Sequence, residues 1–387
     1  MALKQNTWTL NQWYDQDVAG NISYSGVSGF FAWGNNQHGT LGLNDRTQRS
    51  SPTQVPGTTW ASFSRTNGHD SHQMIASKTD GTLWSWGYNG AGSLGLNQGP
   101  GVRFSSPVQV GSLTDWGAEA QISTGGPYMT TVIKTNGEMW AWGNNHNGML
   151  GQNNKTDYSS PVQVPGTTWR YLNQYNATIA TKTDGTLWTW GTNSDGELGI
   201  NSRTEYSSPK QVPGSTWDTV TNGAVYCLAT KTDGTLWSWG YGVYGSLGLN
   251  QGGTGVRYSS PVQVGSDTTW SVVRSSTYSA AALKTDGTLW AWGNGNWGAL
   301  GQNSRTWYSS PVQIPGTNWQ HLSGGKGLFA AIKTDGTLWS WGYGSQGQLG
   351  LNVGAAAGWR SSPCQIPGLW ESPIGHQRFG MAARQIL

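Results

Sequence analysis

The dipeptide Trp-Gly recurs through almost the whole chain, and it constrains the fold more than any other feature. Seven of its copies recur at intervals of 48 to 56 residues. Their glycines are Gly34, Gly87, Gly143, Gly191, Gly240, Gly293 and Gly342. A chain built from similar units of this length folds as a solenoid or as a ring of blades. The repeats therefore replace the two or three unrelated domains that 387 residues would otherwise suggest.

The residues within each unit predict four short β-strands. In the fourth repeat, the short apolar stretch 176–181 precedes KTDGTLWTWG at 182–191. Asp184-Gly185 has the composition of a type I′ hairpin turn, in which both central residues need positive φ. YSSP and QVPG follow, so that Gly and Pro separate the strands. A four-stranded unit of about 50 residues is typical of a propeller blade.

The two ends of the chain complement each other. The first repeat begins at Gly29 and lacks the strand and KTDG turn that precede the other Trp-Gly copies. The last residues, 379–387, are similar to the missing strand, as a comparison with FAAIK at 329–333 shows. We therefore predict an all-β fold, a single seven-bladed β-propeller over residues 29–387. Its N- and C-terminal strands would pair to close the ring, and residues 1–28 would be an N-terminal extension.

The repeat resembles that of a known family. WGxNxxGxLG followed by SSPxQVPG is similar to the repeat of the regulator-of-chromosome-condensation family, which implies a seven-bladed β-propeller. The KTDGTLWSWG variant resembles the bacterial and bacteriophage branch, and residues 10–26 resemble the start of phage structural proteins. The resemblance also implies two possible activities, namely nucleotide exchange with chromatin binding, and ultraviolet-B sensing. A basic tail and a GWRHT-like motif, which those activities would need, are absent from the sequence.

Twenty of the 25 tryptophans occupy repeated positions and are predicted to pack the blades. Five fall outside the pattern, namely Trp8, Trp13, Trp297, Trp307 and Trp359. Variation inside a repeated frame indicates exposed loops, and an exposed indole is a platform for a sugar or a partner protein. The candidate partner-binding loop residues are His38, His146, Tyr244, Trp297, Trp307 and Trp359. The alternative for these residues is packing within the loops.

Catalytic chemistry has little support in the sequence. The chain lacks GxSxG, HExxH, phosphate-loop and dinucleotide-binding motifs. His69-Asp70-Ser71-His72 is the densest candidate metal cluster, but alternation on a strand would point the two histidines to opposite faces. Asp195 and Glu197 could form a catalytic carboxylate pair, but two carboxylates this close in a turn are more often solvated loop residues. We therefore predict no enzyme activity, no catalytic residues, no cofactor and no metal.

Charge and hydropathy exclude further classes of function. The 22 Lys and Arg residues nearly balance 19 Asp and Glu residues, so a strong field for nucleic acid is not expected. No run approaches 18 apolar residues, which argues against membrane insertion. The first residues lack the apolar core of a secretory signal.

The leading hypothesis is a structural or interaction propeller of a bacteriophage virion, in a decoration, fibre or receptor-binding role, made in the host cytoplasm. Trp8, Trp13 and Tyr14 make residues 1–28 a candidate docking segment for other virion or assembly proteins. Folding back onto the propeller and disorder are the alternatives for that segment. The loops would face a host-surface glycan or protein. A lectin-like carbohydrate-binding module is the alternative function, ahead of an exchange factor or a light sensor.

Overall fold

The computed structural model describes residues 29–64, 72–117, 121–125, 128–251, 255–352, 358–377 and 380–386. The candidate docking residues Trp8, Trp13 and Tyr14 lie outside the described residues, as does most of the His69–His72 motif. In the described ranges the chain folds into β-strands and three short 3-10 turns, Gly90–Gly92, Val243–Gly245 and Asn296–Gly298. None of the described helical segments has the length and apolarity needed to cross a bilayer.

The strands are numbered in chain order. They are β1 Gly29–Gly34, β2 Arg49–Gln54, β3 Trp60–Phe63, β4 Gln73–Lys78, β5 Leu83–Tyr88, β6 Arg103–Gln109, β7 Gln121–Gly125, β8 Met129–Ile133, β9 Met139–Gly143, β10 Tyr158–Val164, β11 Trp169–Gln174, β12 Ala177–Lys182, β13 Leu187–Gly191, β14 Tyr206–Val212, β15 Trp217–Asn222, β16 Tyr226–Lys231, β17 Leu236–Tyr241, β18 Arg257–Gln263, β19 Trp270–Ser275, β20 Ser279–Lys284, β21 Leu289–Gly293, β22 Tyr308–Ile314, β23 Trp319–Gly325, β24 Leu328–Lys333, β25 Thr337–Tyr343, β26 Trp359–Gln377 and β27 Gly380–Ile386.

These strands form about seven four-stranded antiparallel units, which we call blades 1 to 7 after the repeats. Blades 2 to 6 are separate sheets made of β3–β6, β7–β10, β11–β14, β15–β18 and β19–β22. The remaining sheet has seven strands in the order β2-β1-β27-β26-β25-β24-β23. The long strand β26 serves two units, because its first part pairs with β25 in blade 7 and its last part pairs with β27 in blade 1.

The two ends of the chain meet in blade 1. Strand β1 pairs antiparallel with β27, from Gly29 opposite Gln385 to Gly34 opposite Gly380. The predicted pairing of the terminal strands is therefore present. No sheet closes on itself among the described strands; neighbouring blades meet through packed side chains and through backbone hydrogen bonds at each seam, such as that from the Asn201 N–H to the Ser259 carbonyl. The first strands of the blades contact one another in the order β3, β7, β11, β15, β19, β23, β26 and back to β3.

Three aromatic rings make the core of each blade. The Trp at the start of the first strand packs against both Trp residues of the LWxW strand, as Trp217 does with Trp237 and Trp239 at centroid distances of 6.0 Å. Blades 2 to 7 repeat this arrangement at 5.5–6.4 Å. In blade 1, Phe31 replaces one indole beside Trp370. Edge-on pairs of this kind add about 0.5–1.5 kcal/mol beyond burial.

The second Trp of each LWxW strand joins its blade to the preceding one. Its indole N–H donates to the backbone carbonyl of the variable residue x of GxLG in that preceding blade, at 2.8–3.1 Å. The pairs are Trp33–Gln348, Trp86–Thr40, Trp142–Ser93, Trp190–Met149, Trp239–Glu197, Trp292–Ser246 and Trp341–Ala299. All seven indoles are fully buried, so these bonds form away from competing water.

The last glycine of GxLG is required by the indole beneath it. Gly248 has a φ of +72°, and a Cβ added there would lie 2.9 Å from Nε1 of Trp292. Equivalent glycines meet the buried indole of the next blade in the same way. A side chain at this position would therefore push apart the two blades that the Trp292 hydrogen bond joins.

The lysine of each KTDG turn packs against two indoles, although a charged side chain beside a turn would ordinarily be solvated. The ammonium group of Lys231 lies 4.7 Å from the Trp217 ring and 4.3 Å from the Trp237 ring. The other five lysines make the same paired contact; they are Lys78, Lys134, Lys182, Lys284 and Lys333. The negative faces of two indoles thus attract one cation in each of these blades.

The KTDG segments form hairpin turns, but the predicted type I′ geometry is wrong, because only Gly185 and not Asp184 has a positive φ, of +77°. The N–H of Gly185 bonds to the Lys182 carbonyl instead, which leaves the glycine alone in the left-handed region. Oδ1 of Asp184 accepts hydrogen bonds from the hydroxyl and the backbone N–H of Thr186, at 2.6 and 2.9 Å. Those two bonds lower the pKa of Asp184, because they favour the charged carboxylate. Asn136 accepts from the backbone N–H of Glu138 at the equivalent turn, so an amide can replace the carboxylate.

We predict that Gly248→Ala destabilises the protein more than Gly265→Ala. Both glycines have left-handed φ, +72° and +63°, but a Cβ at position 265 would contact nothing within 4 Å. Position 265 therefore reports only the backbone strain, about 1–2 kcal/mol, whereas position 248 adds an overpacking cost of about 1–3 kcal/mol. Denaturant unfolding of both variants measures the difference, and equal losses would contradict the role assigned to the Trp292 contact.

Candidate functional site

The two ends of the propeller carry different kinds of residue. Antiparallel pairing places all KTDG turns at one end and all loops between the third and fourth strands at the other. We call the second end the loop face. Its loops, as far as they are described, are residues 35–48, 89–102, 144–157, 192–205, 242–256, 294–307 and 344–358. Five of the six predicted partner-binding residues lie in these loops, and Trp359 follows directly.

In several blades the residue before the first Gly of GxLG reaches over to the next blade. Asp195 of blade 4 accepts a 2.6 Å hydrogen bond from Nε of Arg257 in blade 5. Tyr244 of blade 5 contacts Trp307 of blade 6, with ring centroids 4.5 Å apart. The most variable position of the repeat thus lies at the seam between two blades, where its neighbour is also variable.

Aromatic rings follow one another across blades 5, 6 and 7. Tyr244 packs edge-on against Tyr278 and Trp307. The indole N–H of Trp307 donates to Oδ1 of Asn296 at 3.3 Å, next to Trp297, whose ring lies 5.3 Å from that of Tyr343. We call these five rings, Tyr244, Tyr278, Trp297, Trp307 and Tyr343, the aromatic arc.

Two indoles of the aromatic arc are held half in solvent. Trp297 is 46% exposed and Trp307 is 48% exposed, whereas the tryptophans of the repeated positions are buried or partly buried. Trp297 rests on Gly327, where an added Cβ would come within 2.9 Å of its ring. It also has a φ of +61°, a region that bulky residues rarely occupy. Strained residues of this kind concentrate at binding sites.

The structure brings together only part of the predicted set. Tyr244 contacts Trp307 directly, and Asn296 connects Trp307 to Trp297. Trp359 is half-buried beneath the Arg305 guanidinium, which lies 4.7 Å from its ring.

The two predicted histidines lie in other blades. His38 belongs to a separate cluster in which Nε of Arg103 donates to its Nδ1 and the His72 ring lies 4.3 Å away. His146 is exposed, with its Nε2 3.5 Å from Asp157. These two histidines do not contact the aromatic arc.

Several residues of the loop face were not predicted from the sequence. Tyr278 and Tyr343 belong to the aromatic arc, and Arg305 covers Trp359. A usable signal was present, since Tyr rather than Asn or Thr follows Trp-Gly in repeats two, five and seven. Two of those tyrosines are covered by arginines of their own blades, Tyr88 by Arg103 and Tyr241 by Arg257.

Asp195 and Glu197 do not form a pair of solvated carboxylates. Asp195 is engaged by Arg257, while Glu197 is buried and its Oε2 accepts from the backbone N–H of Asp195 at 2.7 Å. Burial raises the pKa of Glu197 because the charged form loses hydration. Gln348 makes the same contact in blade 7, to the N–H of Gln346, so the position accepts a neutral side chain.

The described residues offer no arrangement suited to a metal or to acid–base chemistry. Within the described part of the chain, no three His, Cys, Asp or Glu side chains come together. A central cavity of about 240 Å³ lies among the first strands of blades 3 to 7, and its described lining contains Asn173, Thr219 and Arg274 but neither carboxylate nor histidine. The loop face can therefore bind through rings and cations, and it offers surfaces rather than reactive groups.

Comparison with known proteins identifies the repeat. The sequence model described as "Regulator of chromosome condensation (RCC1) repeat" matches more than half of the chain. The matched segments are residues 29–71, 136–170, 184–229, 233–283, 286–332 and 335–376. Each of the six segments contains one of the regularly spaced Trp-Gly copies, and the copy at Trp86-Gly87 lies outside them.

Individual relatives share the repeat at moderate identity. The chain is 30% identical over 146 residues to the human probable E3 ubiquitin-protein ligase HERC6, covering 37% of this chain and 14% of that protein. It is 31% identical over 134 residues to the ultraviolet-B receptor UVR8 of Arabidopsis thaliana, covering 34% and 29%. The chain thus spans less than a third of the length of these curated relatives.

The fold extends over nearly the whole chain. The crystal structure of Prp20p from Saccharomyces cerevisiae superposes with a TM-score of 0.79 at 18% identity, covering 96% of this chain and 94% of that one. At this identity the likeness shows the fold, an RCC1-like propeller of about seven blades.

We predict that Glu197→Gln stabilises the protein at neutral pH. The pKa of Glu197 is raised above its ordinary value of 4.5 in the fold, so its contribution is present at low pH and is lost as the pH rises through the folded pKa. Glutamine carries no charge and should therefore remove this loss of stability at neutral pH. Gln348 of blade 7 shows that a glutamine fits at the equivalent position.

Asp184→Asn provides the opposite control. The pKa of Asp184 is lowered below 3.8, so its contribution is lost only as the pH falls through the folded pKa. The measurement is the melting temperature as a function of pH between about pH 3 and pH 8. Its dependence on pH should become flatter on the neutral side for Glu197→Gln and on the acid side for Asp184→Asn. An unchanged neutral side in the Glu197 variant would contradict the burial argument.

Proposed function

The chain belongs to the RCC1 repeat family, and from this premise we propose that it is a non-enzymatic interaction propeller that binds a partner on its loop face. The observation that carries the proposal is the aromatic arc, with two half-exposed indoles at one end of an otherwise well-packed molecule. Exposed Trp and Tyr held by rigid neighbours are the residues that dominate the energy of binding interfaces.

The contrast between the two ends supports this assignment. The KTDG end repeats the same lysine, aspartate and indole contacts from blade to blade. The loop face instead varies at every seam, from Asp195 with Arg257 to Tyr244 with Trp307. Repetition at one end serves folding, whereas variation on a fixed scaffold serves recognition.

We also infer that the seven units close a single ring. The succession of first-strand contacts returns from β26 to β3, and Trp33 of blade 1 bonds to Gln348 of blade 7. Closure would hold the loops at fixed positions relative to one another. A pre-formed surface of this kind loses little conformational entropy on binding.

The finer proposal is that the chain is a component of a bacteriophage particle, made in the host cytoplasm. Residues 1–28 would dock the propeller onto other virion proteins, and the loop face would point to the host surface. Its support is the resemblance of residues 10–26 to phage structural proteins and the aromatic content of the extension, with Trp8, Trp13 and Tyr14.

Carbohydrate binding is the second candidate function. Trp297 and Trp307 present indole surface beside polar groups such as Asn296, and a sugar ring has an apolar face that stacks on an aromatic ring. This candidate is compatible with the first, because a propeller on a particle can bind a host glycan.

Regulatory functions are the competing candidates. Among the relatives, UVR8 is named an ultraviolet-B receptor and HERC6 is named a probable E3 ubiquitin-protein ligase. A regulator of the exchange-factor type would accelerate nucleotide release from a small GTPase, and a light sensor would change its oligomeric state under ultraviolet light.

We predict that Trp307→Ala and Trp297→Ala each weaken partner or glycan binding by about tenfold or more, while the melting temperature stays nearly unchanged. Both rings are about half in solvent, so their truncation removes little buried surface. Trp190→Ala is the matched control for a core indole, because Trp190 is buried and bonded to Met149. A large fall in melting temperature for Trp307→Ala would place that ring in the core instead.

We predict that deleting residues 1–28 leaves a folded propeller that no longer joins the particle. The described fold begins at Gly29, which is already paired with Gln385. Circular dichroism and the melting temperature test the fold, and density-gradient sedimentation of the native lysate tests incorporation. Normal incorporation of the truncated chain would overturn the docking proposal.

A further inference from the structure

We propose that the ligand of the aromatic arc is an acidic saccharide whose carboxylate or sulfate pairs with Arg305. The inference rests on the proposed carbohydrate-binding function of the loop face and adds the chemical class of the ligand. It depends on a comparison between two nearly identical loops in the same molecule, in blades 4 and 6.

The two loops share an arginine but differ in the residues around it. Residues 201–206 read NSRTEY and residues 303–308 read NSRTWY, so Arg305 matches Arg203 and Trp307 matches Glu205. The preceding GxLG loops differ in the same sense, since Trp297 stands where blade 4 has Asp195. Both carboxylates around the arginine of blade 4 are therefore replaced by half-exposed indoles in blade 6.

In blade 4 the charges are balanced within the protein. Arg203 lies 4.0 Å from Asp195, and Glu205 lies 3.4 Å from Lys155. In blade 6 the guanidinium of Arg305 covers the Trp359 ring, and among the described residues no carboxylate lies within ion-pair distance of it. An exposed arginine without a carboxylate is free to pair with an anionic group of a ligand.

The surrounding sector is free of acidic residues. Residues 241–265, 293–315 and 342–368 contain no Asp or Glu, whereas they contain Arg257, Arg305 and Arg360. The acidic residues of the loop face lie in blades 1, 3 and 4, as Asp45, Asp157, Asp195 and Glu205 show. An anionic ligand would therefore meet loops that carry only positive charge at blades 6 and 7, whereas the carboxylates of blades 1, 3 and 4 already lie beside Arg, Lys or His side chains.

The geometry favours a saccharide over a single-stranded nucleic acid. Trp307 and Tyr244 meet edge-on at an interplanar angle of 69°, so their rings offer separate surfaces rather than a row of parallel platforms. A nucleic-acid groove also needs several cations along the phosphate backbone, and the net charge of the chain is only +3. One cation beside separated rings suits a sugar with a single acidic group.

Isothermal titration calorimetry with the full chain tests the inference. The probes are three acidic oligosaccharides, namely tetragalacturonate, sialyllactose and a sulfated heparin tetrasaccharide, together with the methyl ester of tetragalacturonate, lactose and octathymidylate. We expect at least one acidic probe to bind about tenfold or more tightly than its neutral counterpart, since a charge-assisted hydrogen bond is worth that much. Arg305→Gln should remove this preference, whereas Arg203→Gln should leave it unchanged.

Trp307→Glu is the sharpest variant, because it makes the loop of blade 6 identical to that of blade 4 from residue 303 to 308. The folded loop of blade 4 shows that glutamate is compatible with this backbone, so the variant should fold and lose binding. Its melting temperature verifies the fold.

The outcomes distinguish the inference from the proposed function. Equal binding of neutral and acidic sugars that is lost in Trp307→Glu would overturn the acidic ligand and keep carbohydrate binding. Binding of octathymidylate alone would overturn the saccharide and identify a nucleic-acid surface. Absence of binding to every probe would overturn both.

Discussion

The hydrogen bond from a buried indole N–H to a backbone carbonyl of the preceding blade is the interaction on which the other features of this structure depend. Seven such bonds run from blade to blade, and each fixes the GxLG loop that supplies the carbonyl. The indole leaves space only for glycine above it, as at Gly248. Each loop of the loop face is also held by a backbone hydrogen bond to the next blade, as from the Asn201 N–H to the Ser259 carbonyl, so the two kinds of bond together fix the positions of the loops.

Lysine takes an unexpected part in the same core. Each KTDG lysine completes a group of one cation and two indoles, so that a charged residue closes an aromatic cluster instead of avoiding it. Blade 1 is the exception. In blade 5 the strand partner of Trp217 is Lys231, whereas in blade 1 the partner of the equivalent Trp370 is Gln385. Among its described residues, the blade formed by the two chain ends thus lacks the paired lysine–indole contact found in the other six.

The fold could be predicted because most of its signals are local and repeated: the Trp-Gly copies and the Asp-Gly turns lie within single units. The pairing of the chain ends is long-range, but it could be predicted because residues 379–387 resemble the strand that the first repeat lacks. The loop face was predicted only in part. Tyr244 and Trp307 are about 60 residues apart in the chain, and nothing in either segment states that the two rings meet. The lysine contacts could not be predicted from the KTDG segments alone, because a charge beside a turn is usually solvated and the two indoles that it contacts lie on other strands.

The pairing of β1 with β27 has a mechanical consequence. Gly29 and Gln385 are opposite each other at the same end of the two strands, so the chain enters and leaves the propeller side by side. A force that pulls the two termini apart would separate these strands one hydrogen bond at a time, as a zipper opens, instead of shearing all of them together. Resistance to such a force is governed by the rate of unfolding, and the blade that bears it is the one without the lysine. A propeller tethered by one terminus only would never carry that load.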